Sequence, residues 1–155
     1  MSGFIANATK PATTADVSSD AFWPVVRMAH LREAVRLEGN ITNERLRDAV
    51  IAAVVAVNDE LAAWKAAKEA NGYATLTDVP APRIDGESRL VQLYRRAVYC
   101  AVGVEITARF RSYDATAQGN QRADDLEPSI TDQRRDLRYA ISDILGTRRV
   151  TVGLI

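Results

Sequence analysis

The residues best equipped for chemistry in this chain are its single histidine, His30, its single cysteine, Cys100, and several paired carboxylates interleaved with arginines. A catalytic histidine needs a nucleophile and an orienting group delivered by the fold. Its sequence neighbours Arg27 and Glu33 supply neither, so a packed or surface histidine is the reading His30 favours. Cys100 sits beside Tyr99, Ala101 and Val102, with Arg96 one helical turn earlier. One cation at that distance lowers a thiol pKa, but free cysteine is among the most buried residue types, and a small core residue is the better account. A lone cysteine also excludes an intrachain disulfide and a thiolate cage for zinc, and suits a reducing compartment.

The carboxylates fall as Asp85 with Glu87, Asp124 with Asp125 and Glu127, and Asp132 with Asp136. Paired acids can hold a hard cation or run hydrolysis. These lie at helix starts or four apart beside arginines, where caps and surface ion pairs explain them. Arginines cluster as Arg134, Arg135 and Arg138, as Arg95 and Arg96, and as Arg109 and Arg111. A nucleic-acid reader would show a net basic domain, whereas Asp132, Asp136 and Asp143 interleave here, which favours a solvated or interfacial face. There is no phosphate-cradling glycine loop, nucleophile elbow or zinc-protease motif. No catalytic, cofactor-binding or metal-ligating residue is therefore expected, and no cofactor.

Whatever these residues do, a single domain must position them, because 155 residues suit one domain with a real core. Acidic and basic residues cancel at 20 each, so no global field draws the chain to DNA or to an anionic membrane. Apart from Lys10, Lys65 and Lys68 the basic residues are arginines, which lean toward bidentate pairs and protein interfaces. No run of eighteen apolar residues is present, and the start lacks the pattern of a signal peptide, so the sequence reads as soluble and not exported.

Residues 1 to about 20 are polar and aperiodic and read as a flexible arm. Phe22 and Trp23 end it, and Pro24 suits the first turn of a helix carrying Val26, Ala29, His30, Ala34 and Leu37 to about Glu38. Gly39 and Asn40 break that helix, and Thr42 or Asn43 can cap the next. The second helix places Leu46, Val50, Val54, Val57, Leu61 and Trp64 on one stripe and stops at Asn71 and Gly72. A proline-bearing linker, 76–82, follows, with Val79 and Ala81 extended before their prolines. Asp85 or Gly86 then caps a third helix with a wide apolar face of Leu90, Leu93, Tyr94, Ala97, Val98, Ala101, Val104 and Ala108. After a polar turn at 117–120, a fourth helix is signalled by Leu126, Ile130, Leu137, Ile141 and Ile144 and stops at Gly146. The expected fold is all-α: an antiparallel bundle of about four helices over 22–146, an N-terminal arm over 1–21, and an extended, strand-like tail over 147–155.

That tail, Arg148, Arg149, Val150, Thr151, Val152, Gly153, Leu154 and Ile155, is β-prone with an apolar tip. Such a segment can add a strand to an exposed sheet edge of another chain, or fold back over its own core.

Three stretches carry a resemblance. Leu76-Thr77-Asp78-Val79-Pro80 with Ile84-Asp85-Gly86-Glu87-Ser88 is the strongest, Arg96-Ala97-Val98 continues it, and Asp114-Ala115-Thr116-Ala117 with Gly119 and Ala123-Asp124 forms a second phrase. Together with the final helix and Ile155, they resemble the head completion protein (GPL) family of contractile-tailed phages, over about 23–155. The resemblance implies a structural, non-enzymatic protein that joins the capsid after DNA packaging, binds the portal vertex and helps close the head for tail attachment. It also implies likeness to ring-forming adaptors, helical bundles arranged in a ring of about twelve subunits, whose C-terminal segment docks on the portal. Its implied partners are the portal ring, further copies of itself, the next neck or tail-completion protein, and packaged DNA passing through without sequence-specific binding. No membrane is involved. The implied location is the virion neck, after synthesis in the host cytoplasm. A repeated contact needs two sticky faces, and Arg95, Arg96, Arg109, Arg134, Arg135 and Arg138 are the candidates for it. The rival readings are a small helical DNA-binding or regulatory protein, which would need a basic recognition helix, and a small enzyme built on a helical bundle, which would need convergent acids or a histidine cluster on facing helices.

Overall fold

The computed structural model describes the backbone of residues 15–35, 41–113 and 117–147, and the side chains of 15–35, 41–108 and 130–147. In chain order the elements are α1 (Met28–Ala34), α2 (Asn43–Ala70), β1 (Arg83–Ile84), β2 (Glu87–Ser88), α3 (Arg89–Tyr113) and α4 (Ala117–Leu145). Helix α3 runs between α2 and α4 and packs along both, whereas α2 and α4 touch each other little. Arg89 near the start of α3 lies 3.8 Å from Asp143 near the end of α4, so these two helices are antiparallel.

The expected stripe of α2 forms as read: Leu46, Val50, Val54, Val57 and Leu61 are buried, joined by Ala49 and Ala53, with Trp64 packed against them. Thr42 caps the helix by accepting from the Arg45 amide. Gly72, at φ 88°, ends it in the left-handed conformation that glycine adopts without a Cβ clash. On α3 the buried set is Leu90, Val91, Tyr94, Ala97, Val98, Val102 and Ile106, a wide arc that serves two partner helices. On α4 Ile130, Ala140, Ile141 and Ile144 are buried, and the helix ends at Gly146, φ 70°. The side chain of Leu126 lies outside the described residues. Gly103 of α3 allows close approach: a Cβ there would stand 2.7 Å from Gln133 Oε1 of α4.

Three expectations need correction. The fold is mostly helical but not all-α, because Arg83 pairs with Ser88 and Ile84 with Glu87 in an antiparallel hairpin. Its central residues Asp85 and Gly86 have φ 50° and 73°, the paired positive angles of a type I′ turn, which an Asp-Gly pair suits. They close a hairpin and do not cap α3, which follows directly from Ser88. Secondly, α1 begins at Met28, not Pro24, because Val26 is held extended in a bridge to Val17, with N···O distances of 3.0 and 2.8 Å. Its buried residues are Met28 and Leu31, while Ala29, His30 and Ala34 are exposed. Leu37 to Asn40 lie outside the described residues. Thirdly, 117–120 is the first turn of α4 and not a loop, and Ala117, Gln118 and Gln121 favour that propagation despite Gly119.

Residues 15–20, placed in the arm on composition, are tied to the domain. Val17 is buried, and the Asp16 carboxylate accepts from the Met28 amide at 3.0 Å in the first turn of α1. The segment then delivers Phe22 and Trp23 into the core. Trp23 stacks on Tyr94 of α3 at 4.7 Å between centroids and 8° between planes, and Phe22 meets Trp23 edge-on at 4.9 Å. Tyr94 donates to Asn58 Oδ1 of α2 at 2.8 Å, and burial pushes its hydroxyl far above the ordinary tyrosine value. The Leu76 amide donates to the Phe22 carbonyl at 2.8 Å, so the linker too is anchored, with Leu76 and Val79 buried.

Two stability measurements follow from this architecture. Trp23→Ala removes a nearly fully buried ring and is expected to cost about 3–5 kcal/mol in denaturant unfolding; a cost below about 1 kcal/mol would refute its anchoring role. Gly86→Val forces a β-branched residue into positive φ and is expected to lower stability by about 2 kcal/mol and the melting temperature by about 4–8 °C. An unchanged melting temperature would reject the turn assignment.

Candidate functional site

The chemistry-bearing side chains are held mostly by one another. Arg95 of α3 grips Glu87 of β2 in a bidentate pair at 2.9 and 2.7 Å, clamping the hairpin to the helix that follows it. Arg96 reaches Asp136 of α4 at 3.1 Å. Arg135 lies 2.8 Å from Asp132 and 3.5 Å from Asp136, and Arg138 pairs with Glu60 across the seam between α4 and α2. Four of the six arginines nominated as contact residues are thus engaged within the chain. Arg134 is exposed and stands outside these pairs. Neither the Arg109 side chain nor the tail Arg148–Ile155 falls within the described residues.

His30 projects from α1 toward α3, where its Nδ1 lies 2.7 Å from the Tyr99 hydroxyl. Burial raises the Tyr99 pKa, with the nearby cations Arg95 and Arg27 opposing. The pair joins α1 to α3, and no serine, threonine or cysteine nucleophile stands in it. Cys100 is half-buried; burial pushes its thiol up, Asp136 adds to the rise, and Arg96 opposes it. That direction is opposite to the activation a reactive thiolate requires. Among the described residues no three His, Cys, Asp or Glu side chains converge as a metal site would require, and no helix is long and apolar enough to cross a membrane.

One surface was not singled out by the sequence reading. The outward side of α2 exposes Ile51 at 43% and Val55 at 54%, with Ala52 and Ala62 exposed beside them. The signal was present: α2 carries apolar residues on both sides, and a helix apolar nearly all round belongs against something. The wide apolar face of α3 packs against α2 and α4.

Glu87 offers a pH readout of the clamp. Its hydrogen bonds to Arg95 hold its pKa below the ordinary 4.5 against the opposing effect of burial. The pair's contribution is therefore fully present above that ordinary value and lost as pH falls through the lowered one. Because both side chains are about one-third exposed, the expected effect is modest. Glu87→Gln should destabilise by about 0.5–1 kcal/mol near neutrality, and the gap from the parent should close as pH falls below the ordinary glutamate value of 4.5 and through the lowered one. Unfolding curves with a pH-independent gap would refute the assignment.

Comparison with known proteins places residues 17–155 on the model of the family described as phage head completion protein (GPL). The head completion/stabilization protein of Escherichia phage P2 is 36% identical over 139 residues, covering 90% of this chain and 82% of that protein. No solved structure matches.

Proposed function

We infer the role from a plain premise: this chain belongs to the phage head completion protein (GPL) family. It is a head completion protein of a phage, a structural part of the particle. The finer reading we propose is that it binds the portal vertex after DNA packaging, stabilises the filled head and provides the platform on which the tail is attached. In this reading it acts as a ring of about twelve copies between the portal and the next neck or tail-completion protein. DNA passes through that ring without sequence-specific binding. Arg148, Arg149, Val150, Thr151, Val152, Gly153, Leu154 and Ile155 form the segment that docks on the portal.

The observation that carries this reading is the reach of the family match, which runs from Val17 through the apolar C-terminal residue and so includes the tail with the bundle. Physical features support it. The arginine-rich margins of α3 and α4 are mostly neutralised by acids, which removes the basic surface a DNA-binding regulator would need. The described side chains pack the helices on one core and brace them with ion pairs while leaving faces exposed, and a connector needs both. Of the arginines proposed for subunit contact whose side chains are described, Arg134 is the one outside the intrachain pairs; Arg95, Arg96, Arg135 and Arg138 would contribute from the rims of theirs, and Arg109 from α3.

Removal of residues 150–155 is expected to leave helicity and monomer folding intact while abolishing incorporation into heads, read by circular dichroism and by composition of purified particles. Loss of folding would assign the tail to the core and end its docking role. Normal incorporation would end that role too.

A further inference from the structure

The outward face of α2 carries two of the exposed large apolar side chains, Ile51 and Val55, on one helix. Asp48, Ile51, Val55, Asp59 and Ala62 recur at steps of three or four, with Ala52 beside Ile51, and all are exposed. Ile51 and Val55 stand one turn apart and form a continuous apolar spot, and the alanines beside them let another helix approach closely. The exposed charges flanking this spot are acidic apart from Arg45, and Arg47, one turn before Ile51, is directed to the Ala15 carbonyl. Asp48 lies at one end and Asp59 at the other, neither in the ion pairs that brace the bundle, and Arg45 in the first turn is the one exposed cation of the helix. An occupant must therefore bring apolar reach together with positive charge.

The same chain carries such a surface on a different helix. Arg134 and Arg138 stand one turn apart on the exposed side of α4 with Arg135 next to Arg134; Arg135 is paired with Asp132 and Asp136 and Arg138 with Glu60, which leaves Arg134 as the cation of this edge outside the intrachain pairs. The long carbon stems of arginine cover apolar surface while their heads reach carboxylates. We propose that the outward face of α2 is the seat for a second copy of this chain, which docks the arginine edge of its α4 there, Arg134 foremost. Because donor and acceptor surfaces are different, the contact is head-to-tail and leaves one of each free at the ends, so it propagates to further copies. A two-fold contact of α2 on α2 would instead bring four carboxylates to one seam with little to balance them. The inference rests on the reading above that the protein works as a repeated structural unit, and it gives that unit its contact faces.

The test is disulfide trapping in the full-length chain, with Cys100→Ser as background and Val55→Cys combined with Arg134→Cys. It is run on particles carrying the variant as sole copy and on the concentrated purified chain. The expected result, in either setting, is an oxidant-dependent ladder of dimers, trimers and higher species that neither single cysteine gives. Adding Asp59→Arg should reduce the ladder about fivefold in a version of the pair placed at Val55 and Arg138, and Arg134→Glu in that same chain should restore it. Dimers from Val55→Cys alone would show a two-fold contact and overturn the proposal, as would the absence of a ladder in both settings. If the parent chain is missing from particles, the head-component reading fails, and the purified chain alone then decides the contact.

Discussion

The stack of Trp23 on Tyr94 is the interaction on which the rest of this structure depends. Tyr94 lies inside α3, its hydroxyl is tied to Asn58 of α2, and Trp23 arrives from the segment before α1. One contact thus fixes the relative positions of the N-terminal segment and two long helices. An aromatic pair adds about 0.5–1.5 kcal/mol beyond the area it buries. Its larger effect is geometric, because a flat ring pair permits far fewer arrangements than an aliphatic contact of the same size. The neighbouring Phe22 extends the cluster to Trp64 at 6.3 Å, and Lys65 crosses its rim to reach Asp20 at 3.0 Å.

Around that anchor the polar residues act as braces between elements. The Glu87–Arg95 clamp sets the angle at which the hairpin runs into α3. Arg96 with Asp136 ties α3 to α4, and Arg138 with Glu60 closes the thinner seam between α4 and α2. Each exposed pair is worth little alone. Their common consequence is that the charged residues are largely spent within the chain, leaving a body of low net field with a small number of uncommitted surfaces. For a structural component of a phage head this is coherent: stability comes from within, and assembly is left to a few faces.

Among those faces, the outward side of α2 and the arginine edge of α4 are different in chemistry, one apolar with acidic margins and one lined by arginine stems with Arg134 as its uncommitted cation. Two unlike faces on one rigid body are what a repeated head-to-tail contact requires. The rigidity matters because both faces lie on long helices packed against α3, so their mutual orientation is set by the core and not by a loop.

Much of this was determined by the sequence alone. The spacing of Leu46, Val50, Val54, Val57 and Leu61 specifies α2 and its buried stripe, and Gly72 and Gly146 mark helix ends, because period and left-handed glycine are local properties of the chain. The family was legible too, through the linker and hairpin residues. Other features became visible only in three dimensions. The Asp-Gly pair reads equally as a helix start or a hairpin until the strand partners Arg83 and Ser88 are seen. The first helix starts later than its apolar spacing predicts because Val26 is claimed by Val17, a pairing that no window around Pro24 contains. Likewise, the use of Arg96, Arg135 and Arg138 as internal braces, the close approach at Gly103 and the exposure of Ile51 and Val55 depend on which helix lies opposite. Pattern within one element tells which side is apolar; only packing decides which apolar or charged side is covered, since covering requires residues far away in the chain.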